Sequence, residues 1–203
     1  MKRDTELARA LALADGADRT AALVAWVQGL FEAEEGPIPI LVGGAAVELY
    51  TGGAYTTGDL DFVGDVSRGV ARALEAAGFT RQGRHWVHHE GEVFLEFPAS
   101  HLDEGERADY LEVGGRRILV LGPEELIADR LAAWQHWGSE VDAVNAFLLW
   151  KGTGEQLDLE RLRGLAKHHQ VETSLESLQA FVAETAGRTP SDEEIRQWAT
   201  HES

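Results

Sequence analysis

Residues 42–63, which read VGGAAVELYTGGAYTTGDLDFV, constrain this chain more than any other segment. Gly43 and Gly44 follow an apolar run, which predicts a strand that turns at once into a helix. Further on, Asp59 and Asp61 alternate with apolar residues, and side chains two positions apart on a strand lie on the same face. The segment therefore predicts a strand, a helix and a second strand from which two carboxylates project together.

This pattern of glycines and acids points to nucleotide chemistry. Two neighbouring carboxylates repel each other and stay ionised when a cation lies between them. For hard carboxylate oxygens that cation is most often magnesium, for which manganese can substitute. The backbone N–H groups of a glycine turn at the start of a helix can bind phosphate. A structural alternative stays open, because an Asp-Leu-Asp-Phe strand is commonly half-exposed and a glycine pair can be a tight connection alone.

Charge and composition narrow the classes of protein. The chain has 203 residues, a net charge of −17 and no cysteine, which excludes disulfides and thiolate zinc sites. No apolar run reaches the roughly 20 residues that span a bilayer, and the N-terminal segment is amphipathic, so we expect a cytoplasmic protein outside the membrane. High acidity can equally reflect adaptation to salt or for solubility.

The acidic charge is concentrated around the glycine–aspartate segment. Residues 20–67 contain no Lys or Arg, so this stretch favours cations and needs help from elsewhere to hold a polyanion. The candidates for that help are Arg68, Arg72, Arg81, Arg84, Arg116 and Arg117.

Periodicity predicts an α/β (α+β) fold in two parts. Residues 1–121 are expected to form a small mixed β-sheet with flanking helices, and residues 122–203 an all-helical region. The predicted strands are residues 38–42, 59–63, 84–89 and 93–97, with a further β unit at 110–120. The predicted helices are residues 4–33 with a break near residue 16, then 45–50, 66–77, 123–137, 139–151, 158–168, 174–186 and 191–201.

The order of these elements resembles the DNA-polymerase-β-type nucleotidyltransferase superfamily. That family has a glycine turn, an Asp-x-Asp strand and a third carboxylate on a neighbouring strand, for which Glu96 is the candidate. Residues 42–63 look most like the small prokaryotic nucleotidyltransferases near the AbiEii-type toxins. Residues 119–133, LVLGPEELIADRLAA, resemble a second element of those proteins, which usually carry Lys where Arg130 stands. The resemblance covers about residues 36–150.

The resemblance implies a metal-dependent enzyme that transfers a nucleoside monophosphate from ATP or another nucleoside triphosphate to a macromolecule. The implied acceptor is a protein hydroxyl or a tRNA, in a toxin–antitoxin setting that would include a cognate partner protein or a homodimer. The implied catalytic and metal-binding residues (Mg²⁺ or Mn²⁺) are Asp59, Asp61 and Glu96. The implied nucleotide-binding residues are Gly43, Gly44, Thr56, Thr57 and Arg130.

Alternatives to this interpretation remain. The chain could be a nucleotide- or partner-binding regulatory module with the same fold and no turnover, or a structural domain with solvent-facing aspartates. Glu96 could be an edge-strand charge that blocks aggregation, and Arg130 could simply be solvated or pair with Glu124 or Glu125. We expect the neighbouring histidines and the tryptophans to be structural: a solvated strand for His85, His88 and His89, and core packing for Trp134, Trp137 and Trp150.

Overall fold

The computed structural model describes residues 2–201, and the chain divides into two compact units, Met1–Gly122 and Pro123–Ser203. The predicted fold class is confirmed, because a mixed sheet with helices is followed by a helical C-terminal region. The elements of the first unit are α1 (Lys2–Leu11), α2 (Ala17–Ala33), β1 (Ile40–Val42), α3 (Gly43–Tyr50), β2 (Asp59–Val63), α4 (Arg68–Ala76), β3 (Thr80–Gln82), β4 (His85–His88), β5 (Val93–Ala99), β6 (Ala108–Val113) and β7 (Arg116–Leu121).

The first unit contains a seven-stranded sheet in the order β3-β4-β5-β2-β1-β7-β6. Strand β2 lies at its centre, antiparallel to β1 and parallel to β5, while β1 runs parallel to β7. The sequence pattern does not predict β3, because its three residues are all exposed and show no apolar alternation. The central position of β2 places the predicted carboxylates between the glycine turn that follows β1 and the polar side chains of β5.

An aromatic cluster holds α2 against one face of this sheet. Phe31 of α2 stacks on Phe97 of β5 with ring centroids 5.8 Å apart, and Phe97 stacks on Phe62 of β2 at 5.6 Å. Leu60 and Leu95 are buried on the same face. This helix-covered face forms the hydrophobic core of the unit.

Gln28 of α2 ties two strands of the sheet together. Its amide nitrogen donates to the carbonyl oxygens of Pro39 (2.9 Å) and Leu119 (2.8 Å), and its amide oxygen accepts from the N–H of Leu119 at 3.0 Å. The side chain is 5% exposed. These bonds satisfy backbone groups where β1 and β7 pair only briefly, around Leu41 and Val120.

The second unit is built from helices throughout the part that the structure describes. They are α5 (Pro123–Trp137), α6 (Glu140–Thr153), a 3₁₀ turn (Gly154–Gln156), α7 (Leu159–His169), α8 (Glu172–Glu184) and α9 (Asp192–His201). Trp134, Phe181 and Trp198 form its aromatic core, with the rings of Phe181 and Trp198 stacked 4.8 Å apart. The prediction that Trp137 packs in the core is wrong: it ends α5 and is 81% exposed.

None of the helices within residues 2–201 combines the length and the apolar character that crossing a membrane requires.

Candidate active site

Strand β2 presents its two aspartates on one side and its core residues on the other. Leu60 and Phe62 are 5% and 0% exposed, whereas Asp59 is exposed and Asp61 partly exposed. The predicted alternation is therefore confirmed. We call the side of the sheet that carries Asp59 and Asp61 the carboxylate face; it is opposite to the face against which Phe31 packs.

The register between β2 and β5 brings Glu96 beside Asp61. In this parallel pair, Asp61 lies opposite Glu96 and Asp59 opposite Phe94. Residues directly opposite each other on neighbouring strands project to the same face, so Glu96 and Phe94 also lie on the carboxylate face. The three predicted acidic residues thus share one region of the sheet.

The carboxylate of Glu96 already has partners. Its Oε1 lies 2.6 Å from Nε of Arg84, and its Oε2 lies 3.4 Å from Nδ1 of His85. Arg84, a candidate for holding a polyanionic substrate, instead holds an acid of the site. Within residues 2–201 no group of three or more His, Cys, Asp or Glu side chains is arranged to bind a metal ion. Glu96 could complete a three-carboxylate site only after Arg84 moves away from it.

The donor set of the aspartate pair nevertheless suits magnesium. Asp59 and Asp61 offer hard oxygen ligands at the solvent-accessible surface of β2. Magnesium is usually bound by one or two carboxylates, with water and substrate phosphates completing its octahedron. Two carboxylates on one face fit that requirement without a third protein ligand.

The glycine pair fits closely between Asp61 and the loop before β2. Gly43 has a φ of 67°, and a Cβ atom there would lie 2.6 Å from Oδ2 of Asp61. A Cβ on Gly44 would lie 3.1 Å from Oγ1 of Thr57 and 3.3 Å from Cε1 of Tyr55. Only glycine combines this left-handed conformation with so close an approach. The turn thereby brings the first residues of α3 close to an acidic side chain of β2.

Glu48, which the sequence analysis did not assign to the site, anchors this loop. Its side chain is 1% exposed; Oε2 accepts from the N–H of Thr57 at 3.4 Å, and Oε1 accepts from the hydroxyl of Thr20 at 3.1 Å. Burial raises the pKa of the Glu48 carboxyl, the hydrogen bonds from Thr57 and Thr20 oppose that rise, and the charge of Asp15 adds to it. The sequence signal for this buried role was the position of Glu48, a single acid within the apolar run AAVELY.

Four of the predicted site residues line two cavities of about 350 Å³ each. One opens on the carboxylate face. Its lining consists of Asp59, His85, Phe94, Leu95 and Glu96. The other has Thr56, Thr57, Glu48 and Arg19 in its lining, together with the core residue Leu60. The two threonines therefore border a different cavity from Asp59 and Glu96.

Arg130 is held within the second unit by Asp142. Its Nη1 donates to Oδ1 of Asp142 at 2.7 Å, and the hydroxyl of Ser139 donates to Oδ2 at 2.6 Å. The alternative that Arg130 pairs with Glu124 or Glu125 is wrong. Glu125 instead pairs with Arg161, and Glu124 accepts the N–H of Asp158. The nucleotide-binding role of Arg130 stays a prediction.

The three histidines of the β4–β5 hairpin differ in their exposure to solvent. His88 is 9% exposed, its Nδ1 accepts the N–H of Gly91 at 2.9 Å, and its ring packs against Phe79. The prediction of a solvated strand is therefore wrong for His88. His85 lies on the carboxylate face beside Glu96, and His89 is exposed in the turn that follows β4.

Comparison of the chain with protein-family models, with curated proteins and with solved structures gave no significant match.

Proposed function

We propose that this protein is a magnesium-dependent nucleotidyltransferase that uses a nucleoside triphosphate to modify a macromolecule. The observation that carries the proposal is the close approach of the Gly43 backbone to the side chain of Asp61, which leaves no room for a Cβ atom, on a strand that also presents Asp59 to the same face. A turn that binds phosphate and an acid that binds metal can act on the same triphosphate only when they are adjacent. A strand that was merely solvated would not require a glycine in the left-handed region against its acidic side chain.

Each group near the carboxylate face would have a separate role in binding the triphosphate and the metal. Asp59 and Asp61 would hold magnesium, which when bound would neutralise charge on the transferring phosphoryl group and the departing pyrophosphate. The backbone of Gly43 and Gly44 would bind phosphate oxygens, since the N–H groups at a helix start are unsatisfied and carry partial positive charge. Glu48 would keep Thr57 in place beside Gly44 through its hydrogen bond to the Thr57 N–H.

The reaction that fits this site is an in-line displacement at the α-phosphorus. A bond forms between an acceptor hydroxyl oxygen and the α-phosphorus, the bond to the bridging oxygen breaks so that pyrophosphate leaves with the electron pair, and the hydroxyl proton passes to water. The acidic stretch at residues 20–67 favours a protein hydroxyl over a tRNA as the acceptor, because a second polyanion would be repelled. We propose that the enzyme works in the cytoplasm, where nucleoside triphosphates are made, as a member of a toxin–antitoxin system.

The test is incorporation of label from each of the four α-³²P-labelled nucleoside triphosphates into a cell lysate, with magnesium or manganese. We expect wild-type protein to label an acceptor and both Asp59→Asn and Asp61→Asn to abolish the labelling. Asp65→Asn is the matched control, because Asp65 is an exposed acid just beyond β2 in the same acidic stretch. Labelling that survives both strand variants would refute the proposal.

A second candidate is a nucleotide-binding module without turnover. The observation that favours it is the engagement of Glu96 by Arg84 and His85, because the third carboxylate of the proposed metal site is paired with other side chains. Calorimetry with a non-hydrolysable triphosphate separates the two candidates. Binding that is unaffected by Asp61→Asn, together with no labelling in any lysate, would favour the module.

A further inference from the structure

We propose that Phe94 is the platform on which the nucleobase of the triphosphate stacks. This inference rests on the proposed function, which it deepens by naming where the base binds. Phe94 is 42% exposed on β5, although a phenylalanine on a strand normally gains by turning to the core. It is one of the few large apolar side chains that the described part of the first unit leaves exposed.

The position of Phe94 relative to the aspartates is set by the strand register. Phe94 lies directly opposite Asp59 in the parallel pair of β2 and β5, and neighbouring strands are about 4.8 Å apart. Both side chains line the same cavity of about 350 Å³. An aromatic side chain therefore lies on the strand next to the carboxylates that would hold the metal at the α-phosphate.

The order of the strands indicates how the triphosphate would be oriented across the sheet. The glycine turn follows β1 on one side of β2, and Phe94 lies on β5 at the other side. A triphosphate with its phosphates at Gly43 and Gly44 and its α-phosphate beside Asp61 would extend its nucleoside across β2 towards β5. The base then reaches the cavity that Phe94 lines.

The charge of the cavity also favours a base over a phosphate. Asp59 and Glu96 line it, and the guanidinium of Arg84 is already paired with Glu96. A neutral base needs no cation, since its π-face stacks on an aromatic ring whatever the sequence. Because every base has such a face, Phe94 would contribute affinity without choosing among the four nucleotides.

The experiment is isothermal titration calorimetry of the full-length protein with magnesium and the α,β-methylene analogues of ATP, GTP, CTP and UTP. Inorganic tripolyphosphate is the control ligand, because it has the phosphates without the base. We expect Phe94→Leu to weaken the tightest-binding analogue about tenfold and to leave tripolyphosphate unchanged. Phe94→Tyr, which keeps an aromatic face, should bind the analogue as wild type does.

The outcomes separate this inference from the proposed function. Unchanged analogue binding by Phe94→Leu would overturn the stacking role, as would an equal loss of analogue and tripolyphosphate binding, which would indicate a general structural effect. If wild-type protein labels no acceptor but Phe94→Leu weakens the analogue selectively, the proposed transfer fails and the stacking platform stands. Failure of the wild-type protein to bind any analogue would overturn both.

Discussion

The acidic side chains of the two units are used in opposite ways. In the helical unit, Glu125 is 2% exposed and pairs with Arg161, and Asp142 is held by Arg130. On the sheet, Asp59 is exposed, and Glu96, whose side chain is 20% exposed, pairs with an arginine that is 66% exposed. Buried pairs depend strongly on each partner, whereas exposed acids keep most of their hydration and contribute little to stability. Asp59, as an exposed acid, can therefore exchange partners at small cost, which a site for magnesium and phosphate requires.

The largest effect that tests this contrast is expected from Arg161→Met. It would leave the buried Glu125 without the guanidinium that pairs with it, and we expect the free energy of unfolding to fall by about 3–5 kcal/mol. Urea denaturation followed by circular dichroism measures the change. The control is Arg188→Met, because Arg188 pairs with Glu194 where both side chains are more than two-fifths exposed. Similar small losses in both variants would contradict the contrast.

Gly43→Ala should have the next largest effect. The alanine would need the left-handed conformation, and its Cβ would lie 2.6 Å from Oδ2 of Asp61, so we expect a loss of about 2–4 kcal/mol. Gly52→Ala is the matched control: its φ is 62° but no atom lies within 4 Å of the added Cβ, so only about 1 kcal/mol of backbone strain is expected. Equal losses of stability in the two variants would show that the approach of the alanine Cβ to Asp61 adds no cost beyond the backbone strain.

The variant Glu48→Gln tests whether the buried carboxyl of Glu48 makes the stability of the first unit depend on pH. Because the folded-state pKa of Glu48 is raised, its contribution to stability is present below the unfolded pKa and is lost as pH rises through the folded pKa. The variant should therefore gain stability relative to wild type as the pH rises above about 4.3, the ordinary pKa of a glutamate, as measured by urea denaturation at each pH. Glu75→Gln, on an exposed position of α4, is the control. A difference between wild type and Glu48→Gln that does not change with pH would contradict the prediction.

The smallest change in stability is expected from Asp59→Asn. Removing an exposed acid should alter the free energy of unfolding by less than about 0.5 kcal/mol, even though the same variant is expected to abolish nucleotide transfer. Thermal denaturation beside the labelling assay measures both. A loss of stability of several kcal/mol would mean that Asp59 holds the fold together, as Glu125 does in the helical unit.

The features that the sequence predicts well are local ones. Strand alternation alone puts Asp59 and Asp61 on the face opposite Leu60, and the glycine pair alone marks the change from strand to helix. Pro123 and the acids after it are typical of a helix start, and α5 begins at Pro123. Each of these signals depends on residues within a few positions of one another.

The features that sequence reasoning missed depend on long-range packing. Glu125 and Arg161 are 36 positions apart, and the contact of Glu96 with Arg84 depends on the pairing of β4 with β5. No periodic pattern specifies which arginine an acid will meet. Trp137 is exposed because α5 ends at it, although its spacing from Trp134 suits a core position. The burial of Glu48 likewise follows from Thr20, which comes from a different helix.

Gln28 has a consequence for how the first unit folds. With three hydrogen bonds to Pro39 and Leu119, one side chain of α2 takes the place of a missing stretch of backbone pairing between β1 and β7. A glutamate could not donate to two carbonyls, and a leucine could neither donate nor accept. The parallel strands at the centre of the sheet therefore cannot be fully satisfied until the helix has docked. Helix and sheet should consequently gain and lose their structure together, as one cooperative unit.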